Sequence, residues 1–78
     1  MAQFPSLKAK KMFAILKRSP LNYSVAHSAG SHRKLVSASG YPDLRYAFHD
    51  SVTLPGSIVR EILINQVGLT EREALNLL

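Results

Sequence analysis

Residues 22–49, NYSVAHSAGSHRKLVSASGYPDLRYAFH, decide the fold because hydrophobic and polar residues alternate along them. In their first part Tyr23, Val25 and His27 share one face, and the residues between them share the other, as in a half-buried strand. We expect His27 to be partly buried on that face.

The rest of this stretch predicts two further strands. Ala29 and Gly30 break the first strand, and a second is predicted at about His32–Ala38. Residues 39–43 are dense in turn-forming types, so they should lead to a third strand at about Leu44–His49. Three consecutive strands with short connections predict an antiparallel meander.

Helices are predicted on both sides of the strands. The first runs from about Ser6 to Arg18, with Ser6 as its cap, because apolar residues recur there at helical spacing. A second runs from about Ser57 to Val67 and ends at Gly68. Thr70 and Glu73 match a capping box, which starts a short last helix.

The predicted order is α-β-β-β-α-α in a single domain, residues 1–78. It predicts an α+β sandwich in which the helices pack on one face of a three-stranded antiparallel sheet. The chain has no cysteine, which fits a reducing cytoplasmic location. We expect neither a membrane span nor a signal peptide.

Positive charge is concentrated in the first half of the chain. Residues 1–42 carry seven Lys and Arg and no Asp or Glu, whereas residues 43–78 carry three Arg and five acids, so +7 and −2 give the net +5. A phosphate backbone would suit this distribution. A solvated basic face or an acidic protein partner would suit it as well.

Histidine is the side chain that changes charge near neutral pH, and the chain has three. His32 follows a glycine turn and should share a face with Lys34, whereas Leu35 should point to the core. His49 adjoins Asp50 and is either an oriented catalytic group or only a turn residue. His32 beside a positive charge suits an anionic substrate.

The chemistry open to such a site is limited. Asp43 and Asp50 are the carboxylates near the strands, too few for a two-metal nuclease, and the histidines lack a zinc-ligand spacing. A neutral His32 could instead take the proton of a ribose 2′-OH, which attacks the adjacent phosphate. This mechanism predicts RNA selectivity with no metal or other cofactor, because DNA lacks that hydroxyl.

The order of motifs resembles the HicA family of bacterial type II toxins, which are small messenger-RNA interferases. Gly30-Ser31-His32 with the following Arg33-Lys34-Leu35 is similar to the family's Gly-Ser-His strand motif. Residues 47–50, Ala-Phe-His-Asp, are similar to a variant of its second histidine segment. Residues 56–63 and 67–70 resemble its second helix and the Gly-Leu-Ser/Thr end of that helix. Asn22-Tyr23 stands where the family often has glycine before an aromatic residue, and asparagine tolerates the left-handed backbone such a turn needs.

The resemblance implies a fold like that of the double-stranded-RNA-binding domain and an endoribonuclease that inhibits translation. It implies that His32 is catalytic, with His49 assisting, and that the partners are messenger RNA and a HicB-type antitoxin protein. DNA would be reached only through the antitoxin complex. We expect further RNA contacts from the basic and polar side chains near the motif and on the first helix: Ser31, Arg33, Lys34, Lys10, Lys11 and Lys17.

The sequence is also compatible with three other functions. A non-catalytic RNA-binding module of the same fold would use His32 only to contact phosphate. A helix-turn-helix DNA-binding protein is suggested by residues 62–77, although Glu71 and Glu73 would put the wrong charge at the start of its recognition helix. A purely structural partner-binding domain would also tolerate the basic half.

Overall fold

The computed structural model describes residues 3–30 and 32–78. It shows an α+β chain with a three-stranded antiparallel sheet, a two-stranded ribbon, and helices before and after the three-stranded sheet in the sequence. In chain order the elements are β1 (Leu7–Lys8), α1 (Ala9–Lys17), β2 (Tyr23–Ala29), β3 (His32–Ser37), β4 (Leu44–Tyr46), β5 (Thr53–Leu54), α2 (Gly56–Arg60) with its π-helical continuation (Glu61–Gln66), and α3 (Glu71–Asn76).

The first helix begins later than the sequence predicts, and Ser6 is not its cap. Lys8 has extended backbone and pairs with Thr53, so the helix cannot begin before Ala9. The free N–H groups of its first turn are bonded by loop carbonyls instead. Ala9 N–H donates to Val52 O at 2.7 Å, and Lys10 N–H donates to Asp50 O at 3.3 Å. The short β1–β5 ribbon, which the alternation pattern did not reveal, therefore sets the start of α1.

The meander is confirmed, with the order β2-β3-β4. Asn22 has a φ of 52°, so asparagine does supply the left-handed turn before β2, and its side-chain amide donates to Ser39 Oγ at 2.8 Å. The third strand is shorter than predicted, because β4 ends at Tyr46 and leaves His49 in the loop that follows. β3 ends at Ser37, one residue before the predicted end.

The second helix lies where the sequence predicts it, but its second half is π-helical. Val67 N–H donates to Ile62 O five residues earlier, and Leu69 N–H donates to Leu63 O. Gly68 has a φ of +93°, as expected for the residue that ends a helix in the left-handed conformation. The predicted capping box of α3 is present, since Thr70 Oγ1 accepts from Glu73 N–H and the Glu73 carboxylate accepts from Thr70 N–H.

The core lies between the helices and the inner face of the three-stranded sheet. Tyr46 is fully buried there, its hydroxyl donates to Ala9 O at 2.6 Å, and its ring stacks on Phe13. The buried side chains of the core are Ala9, Met12, Leu16, Leu21, Tyr23, Leu35, Leu44, Tyr46, Leu54, Val59, Ile62, Leu63, Val67, Leu69 and Ala74. On the outer face of the sheet Lys34 and Arg45 are exposed.

Within residues 3–30 and 32–78, no helix is both long and apolar enough to cross a membrane.

Candidate functional site

The strand register brings four basic side chains together on the outer face of the sheet. His27 lies opposite Lys34 in the β2–β3 pairing, and Lys34 lies opposite Arg45 in the β3–β4 pairing. His32 is two residues before Lys34 on the same strand and therefore shares its face. Because directly opposed residues project to the same side of a sheet, these side chains form one surface, the outer-face cluster: His27, His32, Lys34 and Arg45.

His27 does not lie where alternation predicts it. Val25 is paired with Leu35 but His27 is paired with Lys34, so two residues advance on β2 while one advances on β3. Ala26 is the extra residue of a β-bulge, and a bulge changes which face the following side chains occupy. The prediction that His27 is partly buried beside Tyr23 and Val25 is wrong, because His27 is exposed and lies on the other face. Burial of this strand ends at Tyr23, and Val25 is itself 45% exposed although it precedes the bulge.

His32 lies where the sequence predicts it. It is the first residue of β3, is exposed, and is paired with Ala29 across the hairpin. Gly30, in the connection, has a φ of +63°, a conformation that favours glycine. Leu35 is fully buried, so β3 turns Leu35 to the core and the positions of His32 and Lys34 to the outside. Ser31 lies outside the described residues.

An open groove of about 230 Å³ covers this face. It is lined by the outer-face cluster together with Ala29, Arg33, Tyr46 and Ala47. His27 and His32 are diagonal neighbours there. His27 is paired with Lys34, two residues after His32, and His32 is paired with Ala29, two residues after His27. At such positions long and aromatic side chains from neighbouring strands come within reach of one ligand.

The charges of the groove favour an anion. Lys34 and Arg45 are directly opposed, an arrangement that destabilises a sheet when the two side chains carry the same charge. Asp43 Oδ2 lies 3.8 Å from Lys34 Nζ, but both side chains are more than half exposed, so this ion pair contributes little. A bound phosphate would offset the repulsion between Lys34 and Arg45.

Arg33 belongs to a second cluster at the edge of the groove. Its guanidinium lies 4.9 Å from the centre of the Phe13 ring and 3.8 Å from Asp50 Oδ1. Lys17 Nζ lies 5.0 Å from the same ring. The aromatic ring thus holds two cations near α1, and Asp50 is engaged with Arg33.

The remaining predicted site residues do not line the groove. His49 follows β4, and its carbonyl accepts from Val52 N–H at 3.0 Å. Lys10 and Lys11 are exposed on α1. Their predicted roles stay predictions. Arg45 also lines the groove but is not among the predicted site residues, although its alternation with the buried Leu44 and Tyr46 places it outside the core.

Within the described ranges 3–30 and 32–78, no three His, Asp or Glu side chains are grouped so that they could hold a metal ion. Comparison with protein-family models, with curated proteins and with solved structures gives no match to this chain.

Proposed function

We propose that this chain is a metal-independent endoribonuclease, the toxin of a type II toxin–antitoxin pair, with His32 as its general base. The observation that carries this proposal is the groove in which the imidazole of His32 shares a face with the opposed cations Lys34 and Arg45. An ionisable base beside an anion-binding pair is what cleavage of a phosphodiester through its own 2′-OH requires.

The order of elements supports the family part of the proposal. A helix, a three-stranded antiparallel meander and a second helix are compatible with the double-stranded-RNA-binding-domain-like fold that the HicA resemblance implies. Three of the residues that carry the resemblance also occupy suitable places. Gly30 lies in the hairpin connection, His32 begins β3, and Gly68 ends the second helix.

The reaction uses groups that this face supplies. His32 takes the proton of the 2′-OH, whose oxygen attacks the adjacent phosphorus while the bond from phosphorus to the 5′-oxygen breaks. Lys34 and Arg45 stabilise the charge that develops on the non-bridging oxygens. The products are a 2′,3′-cyclic phosphate and a 5′-hydroxyl. A positioned general base contributes about 10²–10⁴-fold to such a rate.

The proposed partners follow from the same resemblance. Messenger RNA in the cytoplasm is the substrate, and a HicB-type antitoxin covers the groove and links the pair to operator DNA. The exposed outer face and the excess of basic residues in the first half support an anionic partner. We propose that Arg33, at the edge of the groove, also contacts RNA, and that Lys17, Lys10 and Lys11 extend the contact along α1. Ser31 is proposed to contact RNA beside His32.

The test is RNA cleavage by the purified wild type and His32→Ala in excess EDTA, with the product ends identified. We expect the wild type to leave 2′,3′-cyclic phosphates and the variant, folded as judged by its thermal melting, to leave RNA intact. Binding without cleavage by the wild type would instead identify a non-catalytic RNA-binding module.

The proposed assisting role of His49 is tested in the same assay. Because His49 does not line the groove, His49→Ala should lose less activity than His32→Ala. Arg72→Ala, which removes a charge from α3, is the control for an unspecific effect of substitution. Equal losses of activity for His49→Ala and His32→Ala would show that the reaction does not take place in the groove.

A further inference from the structure

We infer that His27 is the general acid of this reaction, the group that protonates the departing 5′-oxygen. This inference rests on the proposed function and adds a second catalytic residue to the same groove. The strand register puts His27 and His32 on one face, although the alternation of the sequence puts them on opposite faces.

The placement of the two imidazoles suits an in-line displacement. His27 is paired with Lys34, His32 is paired with Ala29, and both histidines line the groove. Diagonal neighbours on adjacent strands are about 7–8 Å apart at their backbones. A hydrogen bond of about 3 Å from each imidazole leaves space between them for the attacking and departing oxygens of one phosphate.

The chemistry needs an acid as well as a base. When the bond from phosphorus to the 5′-oxygen breaks, that oxygen leaves as an alkoxide unless it receives a proton. A protonated His27 donates this proton while His32 accepts the proton of the 2′-OH. The two imidazoles thus exchange protonation states, no proton is gained or lost overall, and solvent restores the starting forms. Histidine can fill both roles because both of its forms are populated near neutral pH.

The bulge at Ala26 explains how β2 supplies this group. Val25 remains paired with the core residue Leu35, while the extra residue brings His27 opposite Lys34. Bulges often redirect a side chain next to a functional site. The charged groups that line the groove are Lys34, Arg45 and, at its edge, Arg33, with Asp43 beside Lys34. The anionic substrate is therefore held between the two histidines and these cations.

The test compares two substrates that differ in one atom. One is an RNA oligonucleotide that the wild type cleaves, and the other carries sulfur in place of the departing 5′-oxygen at the cleaved bond. A thiolate leaves without being protonated, so the second substrate does not need a general acid. We expect His27→Ala to cleave the oxygen substrate about 10²–10⁴-fold more slowly than the wild type and the sulfur substrate at nearly the wild-type rate. His32→Ala should lose activity on both.

Two further variants separate acid catalysis from charge and from folding. His27→Arg keeps a positive charge but cannot release its proton, so it should behave as His27→Ala does. Ser28→Ala, a change at the neighbouring residue of β2, should leave both rates unchanged, and thermal melting should show that all variants are folded.

Three results would overturn the inference. An equal loss of rate on the oxygen and sulfur substrates would show that His27 only binds the substrate. Recovery of cleavage by His27→Arg would show that His27 contributes only a positive charge. Absence of a loss would remove it from the reaction. In each of these cases the wild type still cleaves and His32→Ala still fails, whereas a wild type that cleaves neither substrate overturns the proposed function itself.

Discussion

His27 lies directly opposite Lys34 in the pairing of β2 and β3, although Val25, two residues earlier, lies opposite Leu35. Lys34 in turn lies opposite Arg45, so an imidazole and two cations form a row across all three strands. A row of this composition is costly for a sheet without an anion, because like charges that face each other destabilise the pairing. The arrangement is explained if the row binds a phosphate backbone.

Deletion of Ala26 should leave the groove intact. The change removes the extra residue of the bulge, so Val25 stays opposite Leu35 and His27 stays opposite Lys34 in a regular ladder. We expect RNA cleavage comparable to that of the wild type, measured with His27→Ala as the reference for a lost groove residue. A rate as low as that of His27→Ala would show that the bulge, and not the register, orients the imidazole.

Substitution of Arg45 by threonine should weaken RNA binding and strengthen the fold. In a His32→Ala background that prevents cleavage, the slope of log Kd against log salt should become shallower by about 0.7 for each lost phosphate contact. Relief of the repulsion from Lys34 should raise the free energy of unfolding by about 0.2–1 kcal/mol. Arg72→Ala should change neither quantity. An unchanged salt slope in Arg45→Thr would separate Arg45 from the RNA contact.

Alkaline pH should unfold the protein through two buried phenols. Burial, followed by the negative charges of Asp43 and Asp50 respectively, raises the pKa of Tyr23 and of Tyr46 to about 12. Both hydroxyls donate to backbone carbonyls, Tyr23 to Pro42 O and Tyr46 to Ala9 O, each at 2.6 Å. The folded-state pKa lies above the unfolded value of 10.0, so this stability is fully present below pH 10 and is lost as the pH rises to about 12.

Urea unfolding at pH 7 to 12 measures this effect. Tyr46→Phe should cost about 1 kcal/mol at neutral pH, where it loses a hydrogen bond. Above pH 10 its free energy of unfolding should fall less steeply than that of the wild type, by up to about 1.4 kcal/mol per pH unit. Parallel curves for the two proteins above pH 10 would contradict the role of Tyr46.

Gly56 should tolerate no side chain, because a Cβ there would clash with the backbone of Phe4. A Cβ at this position would lie 2.0 Å from Phe4 O and 2.9 Å from Phe4 C, so the backbone of the first residues would have to move. We expect Gly56→Ala to lower the free energy of unfolding by about 1–3 kcal/mol. The exposed neighbour Ser57 is the control, since Ser57→Ala should change it by less than about 0.5 kcal/mol. A chain that starts at Pro5 should lose less from Gly56→Ala, because the contacting carbonyl is absent.

The sequence predicts the parts of the fold that depend on local signals. A few neighbouring residues determine each of four features. These are the apolar face of α1, the left-handed turn at Asn22, the left-handed end of the second helix at Gly68 and the capping box at Thr70. The start of α1 is different, because it depends on the pairing of Lys8 with Thr53, which are far apart in the chain. Strands of two residues carry no periodicity from which such a pairing could be predicted.

The candidate site divides in the same way. β3 is a regular strand, so simple alternation places His32 and Lys34 outside and Leu35 in the core. β2 contains a bulge, and its sequence does not reveal the extra residue, because no residue of β2 after Tyr23 is buried and could show the change of face. The place of His27 in the groove can therefore be predicted only when the pairing of β2 with β3 is known. The pairing of β3 with β4 likewise places Arg45 beside Lys34.

The most direct test of the central claim measures cleavage of one RNA oligonucleotide and of its twin with a single 2′-deoxy sugar at the cleaved bond. If His32 acts on a ribose 2′-OH, the wild type should cut the first and spare that bond in the second, and His32→Ala should cut neither, all in excess EDTA. Cleavage of the deoxy bond by the wild type, or cleavage of the RNA by His32→Ala at the wild-type rate, would contradict the account.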